Sequence, residues 1–140
     1  MNSVLELIEQ DHREIERSFR TIETAKDYSQ KRMAFIDLAT ILENHARAEE
    51  ETLYPRIDKG PDDLLLIERS RSYHEQVRAL VALLLDPQEE ETTWVGRLLY
   101  LRKLTRAHIR EEELELFPRV RERLTVTEQN HLAVDFRQSK

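Results

Sequence analysis

Thirteen residues beginning at His45, HARAEEETLYPRI, return at His108 as HIREEELELFPRV. Both copies read H-x-R-x-E-E-x-x-L-[Tyr/Phe]-P-R-[Ile/Val]. The copies lie 108 − 45 = 63 residues apart in a chain of 140, so the chain divides into two similar halves. Any fold must place both copies in equivalent surroundings. Two Gly and four Pro leave few breakers, which favours long helices over sheet. The turns expected are KGPDD at Lys59–Asp63, LDPQEE around Pro87, and the polar gap DYSQ at Asp27–Gln30. Four helical segments of about 24–33 residues remain. Short connections make sequential neighbours antiparallel. The expected fold is all-α: an up-down-up-down antiparallel four-helix bundle over residues 1–124, followed by a short C-terminal tail, 125–140.

Each segment carries an apolar stripe in steps of three and four. These are Leu5, Ile8, His12, Ile15, Phe19, Ile22; Phe35, Leu38, Leu42, His45, Glu49, Leu53; Ile67, Ser70, His74, Val77, Val81, Leu84; and Trp94, Leu98, Leu101, Thr105, His108, Glu112, Leu116. One histidine per helix falls on the inward face. Two glutamates join them, each one turn after a histidine and on the same face. A lone histidine on such a stripe is ordinarily a satisfied core residue, but four, with two carboxylates, are not explained that way. An ionised carboxylate buried without a strong partner costs several kcal/mol or more. No Lys or Arg lies on the central parts of the stripes, so the partner expected is a bound cation.

His12 precedes His45 by 33 residues and His74 precedes His108 by 34. Each half is thus a hairpin supplying one His and then a His-x-x-x-Glu. Four imidazoles and two carboxylates suit two ions. If both carboxylates bridge, each ion takes two nitrogens and two oxygens, and one shared oxo or hydroxo group leaves each a free position. Sulfur-free ligation favours iron or manganese, with zinc the alternative. The ferritin-like pattern, Glu-x-x-His on two helices, fails, because His45, His74 and His108 have no Glu three residues earlier.

His12, HARAEEETLYP, His74 and HIREEELELFP together resemble the hemerythrin-like (HHE cation-binding) family over roughly residues 3–124. The resemblance implies a four-helix bundle around a non-heme di-iron centre, with His12, His45, Glu49, His74, His108 and Glu112 at the ligand positions. Oxygen-carrying members hold a fifth histidine on the third helix, and here Ser70 stands at the corresponding vacant place. That departure turns the expectation from oxygen carriage towards binding or sensing O2, NO, peroxide or iron status. The alternative is a di-iron enzyme that removes peroxide or nitric oxide.

Other residues receive quieter readings. Glu50 and Glu113 point about 100° further round their helices, as surface groups or groups behind the ligands. Glu111 gives way to Glu112 because the other copy has Ala48 in its place. Glu16, opposite Arg78 in the repeat, suggests a Glu–Arg pair between helices. His131 is expected on the surface. Tyr54 and Phe117 are expected to line or close the metal pocket, and Tyr73 and Tyr100 to pack. Pro55 and Pro118 are expected to kink or end their helices. A net charge of −6 argues against nucleic acid as partner, and zero cysteines exclude disulfides and thiolate metal sites. No signal peptide or membrane span is read, so a cytoplasmic protein is expected, a monomer or weak homodimer, with a separate protein partner if it is a sensor.

Overall fold

The computed structural model describes residues 3–140. Helix α1 (Val4–Glu23) starts at a capping box, in which the Ser3 hydroxyl accepts from Glu6 N–H and the Glu6 carboxylate accepts from Ser3 N–H. Asp27 caps α2 (Tyr28–Ala48) by accepting from Gln30 N–H at 2.9 Å. Pro61 opens α4 (Pro61–Leu84), and Pro87 lies in the connection to α5 (Glu91–Glu111), so the breaks fall where expected. Helix α1 packs along α2, and α4 along α5.

After α2 the chain widens into one π-helical turn, Glu49–Leu53, before the short α3 (Tyr54–Ile57). The second half repeats this, with a π turn at Glu112–Leu116 between α5 and α6 (Phe117–Arg123). Tyr54 N–H donates to Glu49 C=O, and Phe117 N–H to Glu112 C=O, each five residues back. Proline has no N–H to give and its ring crowds the carbonyl four residues earlier. The extra residue in each wide turn takes up that conflict. Each proline thus follows a π turn that holds a glutamate; the helix ends at Ile57, two residues after Pro55, but continues to Arg123 after Pro118.

Residues 125–140, expected as a short C-terminal tail, are helical and packed on the bundle. Thr125 and Glu128 form a second capping box that starts α7 (Val126–Ser139). Leu132, Ala133 and Phe136 of α7 are buried in the core, and the helix packs on α1, on α2 and on the first π turn. The sequence carries a signal for this, the T-x-x-E box at TVTE ahead of an apolar step of three to four. His131 sits on the exposed face of that helix.

Two apolar clusters form the core. One gathers the ends of the chain's helices around Val4, Ile8, Leu53, Phe117, Leu132 and Phe136. The other gathers Ile15, Phe19, Phe35, Leu38, Trp94 and Leu101. His12 lies on α1 between the two, and the polar stripe residues of the other helices occupy the same waist.

Asp63, in the first turn of α4, is fully buried. It accepts from Lys59 N–H at 3.0 Å, Arg119 at 2.8 Å and Arg123 at 2.9 Å, tying α4 to α6. Burial alone raises its carboxyl, but Arg123, the Lys59 N–H and Arg119 together hold it below the usual aspartate range. A depressed carboxyl stabilises fully above the unfolded value of about 3.9 and loses that contribution as pH falls through the lower folded value. Asp63→Asn is expected to cost about 2–3 kcal/mol near neutral pH, and the gap to wild type should close in strong acid, once Asp63 is protonated in the fold as well. Urea titrations at both pH values check this; an unchanged gap in acid removes the ion-pair explanation.

Candidate metal centre

The four imidazoles and two glutamates converge at the waist. His12, His45, Glu49, His74, His108 and Glu112 are each at most 7% exposed. Glu112 Oε1 lies 3.2 Å from His12 Nε2, 3.1 Å from His108 Nε2 and 3.8 Å from His45 Nε2. Glu49 Oε1 lies 3.2 Å from His74 Nε2 and 3.5 Å from His45 Nε2. Two triads emerge, His12–His45–Glu112 and Glu49–His74–His108, with one donor atom per residue and all donors of a triad within 4.8 Å. Each triad borrows its carboxylate from the opposite half of the chain. Sequence spacing pairs His45 with Glu49 and His108 with Glu112; the exchange between halves arises only when the hairpins pack.

The donor set fits a cation. Glu49 Oε2, Glu112 Oε2 and the Nε2 atoms of His45, His74 and His108 are buried without a hydrogen-bond partner in the protein. No arginine or lysine lies within ion-pair distance of either glutamate among the described residues. The electrostatics show the strain of keeping these groups without one. Burial and the neighbouring Glu112 carboxylate push Glu49 well above the usual range. Burial also pushes Glu112 upward, but His108 and hydrogen bonds within the cluster outweigh it and hold Glu112 low. Burial would lower His45, yet Glu49 and a hydrogen bond to Asp11 carry it up to about 10. His108 is lowered, chiefly by burial.

Behind the imidazoles stand carboxylates that accept from the outer ring nitrogens. His12 Nδ1–H donates to Glu113 at 2.9 Å, His74 Nδ1–H to Glu50 at 2.7 Å, and His45 Nδ1–H to Asp11 at 2.7 Å. A carboxylate only accepts, so each Nδ1 carries a proton, and each Nε2 is the ring atom that faces the two central glutamates. Glu50 and Glu113, read from the sequence as surface or supporting groups, are thus supports, again exchanged between halves. Burial raises Glu50, but His74 and Arg78 bring it down to about 2, so it is anionic at neutral pH.

Asp11 is the residue that sequence reasoning missed. Directly before His12, it points about 100° away from that ligand and reads as a solvated charge. It is in fact buried, held between His45 and Lys140 of α7. In the second half its counterpart is Tyr73, whose ring stacks on His108 with centroids 3.8 Å apart. One half therefore supports its second histidine with a carboxylate and the other with an aromatic face. Tyr100, by contrast, is exposed.

Tyr54 and Phe117 lie nearly parallel to His74 and His12, at 6.1 and 6.4 Å. Ser70 is buried one turn before His74, on the stripe as expected. Glu16 pairs not with Arg78 but with Arg102 at 3.6 Å and Arg106 at 3.5 Å. Arg78 pairs instead with Glu43 and Glu50, both at 2.9 Å. Glu43 and Arg106 are equivalent in the repeat, so the two pairs are one interaction with its charges inverted. Glu111 turns outward to Arg69.

Residues 3–120 match the family described as Hemerythrin HHE cation binding domain. This chain is a hemerythrin-family protein. An uncharacterized hemerythrin-like protein of Schizosaccharomyces pombe is 25% identical over 142 residues, covering 100% of this chain and 70% of the relative. A DNA nickase of Nostoc sp. is 27% identical over 144 residues, covering 99% of this chain and 39% of the relative. No solved structure matches. The hemerythrin-family chain has no helix long and apolar enough to cross a membrane among its described residues.

Proposed function

We propose that His12, His45, Glu49, His74, His108 and Glu112 hold two iron ions inside an up-down-up-down four-helix bundle. The centre binds or senses a small oxidant or ligand: O2, NO, peroxide, or iron status itself. One observation carries this reading: two fully buried carboxylates, each with an unpartnered oxygen, face imidazole nitrogens and, among the described residues, no lysine or arginine. Iron supplies redox capacity and open coordination positions for such molecules. The protein's own groups do the rest. Glu49 and Glu112 each approach imidazoles of both halves and so sit where a bridging carboxylate belongs. Asp11, Glu50 and Glu113 hold three imidazoles in the Nδ1–H tautomer. Tyr54, Phe117 and Phe136 pack on the rings from outside and keep water from their edges.

Strand cleavage, the activity in the name of the Nostoc relative, is not carried over. The match spans 39% of that protein, and a net charge of −6 opposes binding a polyanion.

Metal analysis after anaerobic, metal-replete purification is expected to find close to two irons per chain. Spectra of the reduced protein mixed separately with O2, peroxide and NO then divide the roles. Fast peroxide or NO turnover would replace sensing with enzymatic removal; binding without turnover supports sensing. Zinc taken up in preference to iron would sink the iron reading and leave a metal-stapled bundle. Ser70→His is expected to lengthen the life of any O2 complex, since it adds an imidazole one turn from His74 and makes the two ions unequal. An unchanged lifetime in an iron-loaded variant counts against that asymmetry argument.

A further inference from the structure

Aligned on their histidines, the halves differ along one seam each. Phe19 and Arg20 of α1 and Arg102 of α5 correspond in the repeat to Val81 and Ala82 of α4 and Ala39 of α2. In the α1–α5 seam the Arg102 guanidinium lies over the Phe19 ring at 5.9 Å and pairs with Glu16 and Glu23. These side chains fill the seam at Phe19, and the space left in it, beside Glu9 and Glu113, is a polar cleft lined by Arg13, Arg17 and Arg20. In the α2–α4 seam, small side chains stand in the same places, and a cavity of about 490 Å³ opens. Ile36, Ala39, Leu42, Val77, Val81 and Leu85 supply its apolar walls. It runs along α2 from His45 to Ile36, nine residues or roughly 14 Å. Ile36 and Leu85 are exposed at its outer end.

The inner end is polar. His45, His74, His108 and Glu112 border it, together with Tyr73 and Thr105. Thr105 is 2% exposed, and its hydroxyl and that of Tyr73 have no hydrogen-bond partner in the protein beyond each other, which leaves one of the two O–H groups without an acceptor. Leu42 holds the place of Thr105 in the other half, so this hydroxyl too is a departure from the repeat. A buried hydroxyl without a partner is costly unless a ligand or water supplies one. The volume lies in the range of pockets for drug-sized molecules, well beyond the needs of a diatomic gas or peroxide.

We propose that this cavity binds a medium-chain fatty acid, with the chain along the apolar walls and the carboxylate at the inner end. The inference rests on the metal centre proposed above, whose cations offset the head's negative charge. Thr105 and Tyr73 donate to the carboxylate oxygens. Arg78, one turn from His74, is bound by Glu43, Glu50 and Glu75, and Arg32 beside Ile36 and Leu85 at the outer end already donates to the Tyr28 hydroxyl and the Asp86 carbonyl, whereas the inner end offers two hydroxyls and the proposed cations. The head therefore points inward. Each buried methylene raises affinity about fourfold, so chain length and not the head alone decides binding.

The test is calorimetric titration of dodecanoate and of acetate into the iron-loaded full chain, with iron measured on the same samples. One dodecanoate per chain is expected, with acetate weaker by about a hundredfold or more. Val81→Phe copies the residue that already fills the other seam, and Ala39→Leu narrows the cavity should the first variant fold poorly. Each is expected to weaken dodecanoate by about tenfold or more at unchanged iron content. Equal binding of dodecanoate by wild type and both folded variants overturns the proposal, as does binding no better than that of acetate. Two irons with no dodecanoate bound sinks the cavity ligand alone. Dodecanoate bound without iron sinks the metal centre, and with it the place given to the head.

Discussion

Glu112→Ala is expected to drop iron from close to two per chain to below one. The Glu112 carboxylate stands within 3.8 Å of three of the four imidazole Nε2 atoms, so under the proposed assignment its removal would take an oxygen from both ion positions. His45→Ala should act similarly, since His45 Nε2 faces both glutamates. Glu113→Ala should leave the stoichiometry intact and weaken affinity by about 10–100-fold, because it frees the His12 ring without deleting a donor. Glu111→Ala, on a side chain turned to Arg69, should change neither. Thermal stability gives a second readout. Iron at a hundred times its Kd should stabilise the wild type by about 2.7 kcal/mol per site and stabilise Glu112→Ala far less. Full iron occupancy in both Glu112→Ala and His45→Ala would falsify the ligand assignment.

Phe136→Ala is expected to cost about 3–4 kcal/mol, a large share of the stability of a domain this size. The ring is fully buried, belongs to the same cluster as Val4, Leu53 and Phe117, and meets His45 edge-on at 6.1 Å. Its loss leaves a cavity under α7 and loosens the helix whose Lys140 reaches Asp11. His131→Ala, on the exposed face of the same helix, should stay within about 0.5 kcal/mol of wild type. Urea unfolding compares the two. Equal midpoints would mean that residues 125–140 do not belong to the cooperative unit.

Much of the fold was legible because helix stripes and breakers are local signals. Val81 alone among the residues read on the four stripes is not fully buried, and it lines the cavity that breaks the repeat. That residues 125–140 are helical was less legible, because Leu132, Ala133 and Phe136 give only a short apolar step after the charged end of α6. The capping box at Thr125 and Glu128 is its one local cue. The prolines announced a disturbance, but whether a helix kinks, stops or widens depends on what holds the chain on both sides. Here a π turn precedes each proline and absorbs the misfit; the helix then ends at Ile57, two residues after Pro55, and runs on to Arg123 after Pro118.

The sequence by itself determined the six inward polar groups, since periodicity and the repeat place His12, His45, Glu49, His74, His108 and Glu112 on buried faces without reference to any neighbour. Only the tertiary structure decided how they are shared. Glu112 joins His12 and Glu49 joins His74, each across the halves, because the packed hairpins bring residues about a hundred or a few tens of positions apart to hydrogen-bond distance. The same holds for Asp11 behind His45 and for the open seam at Ala39. Both depend on which side chain lies opposite, and a linear repeat carries no record of that.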